Sequence, residues 1–452
     1  MKRFFAIFLL FTFCNSNPVI NENNLDESIE SVNSPNEKTT ELLEYITVEN
    51  LHIYDQLYFT ETGDECAPYL GQDVIINCLN NHQFLKSYNF EKQIISIIKH
   101  RNKYYFLEKA GKLHLFNLQN ESIELVVDFS KKVDDSLDRG AKGFAFSEND
   151  NTFAISYVNE LKQLQVDLYS FENEITNHQF EKNLLSVQNE YEDISWHYGG
   201  HIIWSNIFNG YVVGVGDFLP AGPLSRTNEN SLKSNSFIGK LILLDSSKNI
   251  KSNYKVVKNN LEDSFINILG IGLRNPWQFF EIGSFFVVPD VGFSVTEEIN
   301  LIKMENFPIN FGWPVFEGNL LSEEIDKLED FKLFLNVFEE NKKVNDIVNF
   351  TKENSVLPVF TYNHNPAPNI YRGAIIGGDI FSENMDLKDH IVFGDHISGE
   401  LFFYNINEGT VMISPFGLIS GGMTNVKVFD EIENTLIVST FSGDIHLISF
   451  TK

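Results

Sequence analysis

The sequence predicts an all-β chain folded as a β-propeller, and three observations carry that reading. From about residue 46 onward, short runs rich in Ile, Val, Phe and Tyr alternate with turns of Gly, Asn and Asp. Three segments repeat one unit: KYYFLEKAGKLHLFNL around Gly111, HIVFGDHISGELFFYNI around Gly399 and TLIVSTFSGDIHLISF around Gly443. Each is an apolar strand, a short polar turn with Gly, then an alternating strand. The runs NGYVVGVGDF at 209–218 and SFFVVPDVGF at 284–293 fit the first half of the same unit. Gly399 and Gly443 are spaced like one four-stranded blade. Hairpins repeated along most of the chain suit radial repetition of small sheets, which leaves few open edges. The alternative for the same hairpins is a pair of β-sandwiches.

In chain order, the first element is a targeting segment. Met1-Lys2-Arg3 is followed by a mostly apolar run, Phe4 to Phe13, and then Cys14-Asn15-Ser16. A short basic region before about ten apolar residues is the pattern of a signal peptide, residues 1–16, and is too short to span a bilayer. Cys14 and Ser16 are the small residues expected before cleavage at Asn17. A lipid anchor on Cys14 is the rival reading, disfavoured by the bulk of Phe13. The expected destination is therefore outside the cytoplasm, periplasmic or extracellular, with a membrane contact only through that anchor. Residues 17–45 are polar and acidic, a solvated linker. Residues 46–452 form the propeller. No later run reaches about 18 apolar residues, so no spanning helix is expected.

Cys66 and Cys78 remain after processing. In an oxidising compartment a lone pair at this spacing is expected to form a disulfide, worth about 3 kcal/mol locally. One stretch breaks the β pattern: in 320–349, Leu321, Ile325, Leu328, Phe331, Leu335 and Phe338 recur at helical spacing. That predicts an amphipathic helical insertion between blades.

The chain has 452 residues, with Lys+Arg 34 against Asp+Glu 62 and a formal charge of −28. Such a surface repels phosphate backbones, so no nucleic-acid partner is expected. Against this background arginine is rare, and three of the few lie in Gly-rich loops: Arg139 in DRGAKG, Arg274 in GLRNPW and Arg372 in NIYRG. In a propeller such loops converge around one end of the central channel. Guanidinium forks converging there point to an anionic ligand; the competing reading pairs each arginine with a nearby carboxylate. His197, between Trp196 and Gly199-Gly200, is the candidate general base.

These motifs carry a resemblance. WHYGGHIIWSNIFNGYVVGVGD resembles the HxGG segment and following strand of the glucose/sorbosone dehydrogenase family, soluble aldose dehydrogenases that depend on pyrroloquinoline quinone (PQQ). GIGLRNPWQFF resembles that family's RNP motif, and VVPDVGFSVTEEINLI with NFGWPVFEG resembles its DVG to EG run. RGAIIGGDIF and HIVFGDHISGELFF match later strands, in the right order.

The resemblance implies a six-bladed propeller and an exported oxidoreductase that takes hydride from the C1 hydroxyl of an aldose or similar alcohol, its electron acceptor unknown. It implies PQQ and Ca²⁺ as cofactors, His197 as base, and Arg274 and Asn275 beside the reacting quinone carbonyl. Main-chain carbonyls of Gly292 and Phe293 fall where the family ligates calcium. The sequence departs from the family at Gly140-Ala141-Lys142-Gly143, where an apolar pair is lost. It also lacks the arginines expected near Ser420–Thr424 and a lysine in Asp395–Gly399. These departures leave Arg139, Lys142 and Arg372 to meet the cofactor's carboxylates. The alternative is a non-catalytic extracellular binding propeller of the same descent.

Overall fold

The three repeated segments fold as hairpins: Lys103–Glu108 with Lys112–Asn117, His390–Asp395 with Leu401–Asn405, and Thr435–Thr440 with Asp444–Phe450. Gly111, Gly399 and Gly443 stand in their turns with φ of 85°, 66° and 93°, a region that costs glycine nothing. The computed structural model describes residues 58–59, 65–66, 76–117, 122–188, 196–218, 228–233, 236–244, 266–293, 295–306, 308–321, 342–364, 371–382, 385–429 and 432–451.

Six sheets of four or five strands form the blades of a β-propeller. Blade one runs Ile94–His100, Lys103–Glu108, Lys112–Asn117, Ser122–Asp128. Blade two runs Ala141–Phe146, Thr152–Val158, Gln163–Phe171, His178–Gln188. Blade three contains Gly199–Ser205, Gly210–Val215, Lys240–Leu244 and Ile266–Ile271. Blade four contains Phe280–Ile282, Phe285–Asp290, Thr296–Lys303 and Phe360–Asn363. Blade five contains Ile375–Ile380, His390–Asp395, Leu401–Asn405 and Val411–Ile413. Met423–Val428, Thr435–Thr440 and Asp444–Phe450 make three strands of blade six. Its fourth strand is His82–Asn89, which pairs antiparallel with Asp444–Phe450 and closes the ring.

Two further pairings were not evident from the hairpin pattern. Ile309–Asn310 lies parallel to the outer strand of blade three, and Ile76–Cys78 lies parallel to that of blade five. Cys78 is disulfide-bonded, as the expected pairing requires of it; the side chain of Cys66, Cys14, the leader and the linker lie outside the described residues. Most of the expected helical insertion, residues 322–341, lies outside the described residues. Leu320–Leu321 are strand, folded back on Phe316–Glu317, and the described helix is Lys342–Asn354. The chain turns at Gly318 (φ 60°) between these two strands. The helix runs past 349 because buried Thr351 is held by the Asn310 amide. Among the described residues no helix is long and apolar enough to cross a membrane.

The phenylalanines are used between blades. Phe360 lies 5.5 Å from Phe393, and Tyr362 stacks on Phe402 at 4.7 Å, joining blades four and five. Each such ring contributes about 1.5–3 kcal/mol by burial. One polar device braces the site from below. Lys240, fully buried, donates Nζ to the carbonyls of Asn230, Ser231 and Ile238 at 2.8, 2.7 and 2.6 Å. The Ser231 carbonyl also accepts from Gly272 N–H, at the start of the loop that carries Arg274. Lys240→Met removes the donor from three buried carbonyls and is expected to cost about 2–3 kcal/mol, measured as a lower denaturant midpoint. An unchanged midpoint would show the brace to be idle.

Candidate active site

His197 sits between blades two and three with φ of 50°, and three contacts hold it there. Its N–H donates to Asp138 Oδ2 at 3.0 Å. Its carbonyl accepts from Phe218 N–H. Gly216 packs under that carbonyl: a Cβ at 216 would lie 1.9 Å from it, so only glycine fits. The ring is fixed as well. Nδ1 lies 3.3 Å from Oδ1 of buried Asp217, and Nε2 lies 3.4 Å from Arg274 Nη2. A guanidinium only donates, so Nε2 is the acceptor and Nδ1 carries the proton toward Asp217. Burial, and then the Arg274 charge, hold the ring below the usual imidazole range despite Asp217. The result is a neutral imidazole with its lone pair facing a cation.

Arg274 and His197 are 77 positions apart, and two carboxylates make their meeting possible. Asp290 accepts Arg274 N–H at 2.8 Å and Asn275 N–H at 2.6 Å. Asp217 donates its own N–H to the Arg274 carbonyl at 2.7 Å and accepts Trp313 Nε1–H at 3.2 Å. Asn275 Oδ1 accepts from Gly199 N–H at 3.1 Å, tying the RNP loop to the HxGG loop. The guanidinium donates Nη1 to the carbonyls of Val291 and Gly292 and lies 5.6 and 5.7 Å from the ring centres of Phe293 and Trp313. Glu297 and Glu317 fix the loop from behind: Glu297 accepts from Gly292 N–H, and Glu317 from Phe293, Val295 and Thr296.

The structure thus brings His197, Arg274, Asn275, Gly292 and Phe293 to one place. Lys142 is adjacent, buried, with Nζ on the Asp138 carbonyl and 3.6 Å from Asp138 Oδ1. Two other expected cations are used internally. Arg139 is held by Asp134 at 2.9 Å and by Ser136 of its own loop. Arg372 forms a two-point pair with Glu400 at 2.6 and 2.8 Å, both side chains fully buried. That pair consumes the fork that a ligand carboxylate would need, which turns Arg372 away from its expected role, while Arg139 is engaged within its own loop.

Sequence reasoning missed Asp217 and Trp313. Asp217 closes the Gly216-Asp217 end of a quoted strand; an acid following a glycine at a strand end beside the base was the available signal. Trp313 stood in the quoted NFGWP run.

No family model and no curated protein matches the chain. Solved structures do. The soluble aldose sugar dehydrogenase of Escherichia coli, in its apo form, is similar at 14% identity and a TM-score of 0.56, over 82% of this chain and 99% of that one. A glucose dehydrogenase is similar at 11% and 0.58 over the same shares. Another glucose dehydrogenase is similar at 10% and 0.55, over 81% and 99%. At these identities the likeness establishes the propeller fold.

Proposed function

We propose that the chain is an oxidoreductase that removes the C1 hydroxyl proton and hydride of an aldose, releasing the lactone, with His197 as base. The observation that carries this reading is the oriented, neutral His197, its Nδ1 on Asp217 and its Nε2 lone pair beside Arg274. The likeness to sugar dehydrogenase structures supports the same class.

The donors present suit the quinone. Arg274 gives its guanidinium to carbonyls rather than to a carboxylate, Lys142 has only the partly exposed Asp138, and Phe293 and Trp313 supply flat apolar walls. A planar, acidic quinone fits that set, held by Arg274, Asn275 and Lys142. Bound PQQ would supply the two-electron acceptor for hydride. Calcium was expected on the carbonyls of Gly292 and Phe293. The Gly292 and Val291 carbonyls accept from the Arg274 guanidinium, which leaves each a second lone pair for a cation. The steps that follow are carried by the chain's own residues.

In this scheme His197 Nε2 takes the hydroxyl proton, and Asp217 stabilises the imidazolium that forms. Arg274 stabilises negative charge developing on the acceptor's oxygen. Export belongs to the same reading, supported by the Cys78 disulfide. The test is to add PQQ to the chelator-treated protein and follow quinone absorbance as aldoses are added. Bleaching by an aldose without calcium supports the reading. An unchanged spectrum with every aldose, with and without calcium, leaves a binding propeller.

The base also sets a pH dependence. Because His197 is held below about 6.5, kcat/KM should persist below that pH and fall only as the ring itself protonates. Asp217 pulls the other way, toward the charged ring. Asp217→Asn should therefore move the acid limb to lower pH. At 3.3 Å the bond is long, so kcat should drop only about tenfold. An acid limb that does not move would make Asp217 merely structural.

A further inference from the structure

Lys109 and Lys142 are unusual lysines. They are 9% and 6% exposed in a chain of formal charge −28, where lysines are expected at the surface. Lys109 follows the strand Lys103–Glu108 of blade one, and Lys142 stands in the first strand of blade two. Their ammonium groups bind successive carbonyls of one loop: Lys109 Nζ that of Leu137 at 2.5 Å, Lys142 Nζ that of Asp138. The two charges feel each other: burial, then Lys142, pull Lys109 below the usual lysine range. Gly140 makes room for the Lys109 stem; a Cβ there would lie 2.6 Å from Lys109 Cγ.

Carboxylate compensation is thin. Asp138 is the carboxylate nearest the pair, and its Oδ2 already accepts the His197 N–H. Asp134, which acts on Lys109 at longer range, is taken by Arg139. Each ammonium has three donors, so both keep capacity for a ligand. Aromatic rings flank them: Phe441 5.6 Å from Lys109 Nζ, and Trp277 and Tyr198 5.8 and 6.0 Å from Lys142 Nζ. Two buried cations, with Asp138 in direct contact and Asp134 and Asp135 acting at longer range, form a place for an anion beside His197.

We propose that Lys109 and Lys142 form a two-ammonium seat for a carboxylate of the ligand bound beside His197. The proposal rests on the reading of His197 as the reacting position. The carboxylate comes either from the quinone or from an acidic sugar, and the seat's chemistry is the same for both.

Calorimetric titration of the full chain tests it with three probes: PQQ, glucuronate and glucose. Lys109→Met and Lys142→Met are expected to weaken a carboxylate probe at least tenfold, while Lys109→Arg keeps most of the affinity. Loss on PQQ assigns the seat to the cofactor; loss on glucuronate, with PQQ unaffected, assigns it to the substrate. Lysine-dependent glucuronate binding by a protein that never binds PQQ keeps the seat and ends the quinone reading. Carboxylate probes that bind wild type and Met variants alike, or bind neither, overturn the seat. Melting curves confirm folding, and Lys109→Gln or Lys142→Gln replaces the corresponding Met variant if it does not fold.

Discussion

Replacing His197 with Ala is expected to lower kcat by roughly 10²–10⁴, the usual worth of a positioned general base, while PQQ affinity and melting temperature stay near wild type. Among the described residues the ring's hydrogen bonds are to Asp217 and Arg274, at 3.3 and 3.4 Å, and its loop is held by the main-chain bond from Phe218 and by the His197 N–H on the Asp138 carboxylate. Removing the imidazole therefore leaves the loop in place. Single-turnover bleaching of bound quinone by an aldose reads the step directly. A variant that turns over like wild type ends the mechanistic reading and leaves the fold.

Arg372→Met is expected to destabilise the protein by about 3–5 kcal/mol, because it leaves Glu400 charged and buried without its partner. Both side chains are fully buried and joined at 2.6 and 2.8 Å. Replacing both, Arg372→Met with Glu400→Leu, should recover much of the loss, since an apolar pair of similar size is often as stable. Chemical denaturation measures both. An Arg372→Met protein that unfolds like wild type but binds PQQ weakly would restore Arg372 to the site.

These two residues show what was legible in the sequence. His197 and Arg274 lie in loops whose glycines, prolines and strand neighbours form local patterns, and each pattern was sufficient to mark its loop. Arg372 lies in a loop of the same character, yet its partner Glu400 is 28 positions on, in another hairpin turn. A rare arginine beside glycine reads the same whether it faces a ligand or an acid. Lys109 was passed over for the opposite reason: it sits in an ordinary hairpin, and the residues that cover it, Gly140 and Phe441, come from distant parts of the chain. The hairpins themselves were legible because turn and strand chemistry are local. The parallel strands at 76–78 and 309–310 were not, because two or three residues carry no period and their partners are distant in sequence.

The ring closure has a consequence for synthesis. Ser87 meets His446 across 359 positions, and His82–Asn89 finds its partner only in Asp444–Phe450. At about 5–20 residues per second, that strand waits roughly 20–70 s after emerging before its partner exists. During this interval it is an unpaired β-edge carrying Phe84, Leu85 and Tyr88, the kind of segment that recruits other chains. Lys86 stands in its middle, and a charge there opposes stacking of like strands. Holding the first strand for the last blade makes the propeller a slow, non-local folder. It also concentrates the risk of aggregation in the nascent chain.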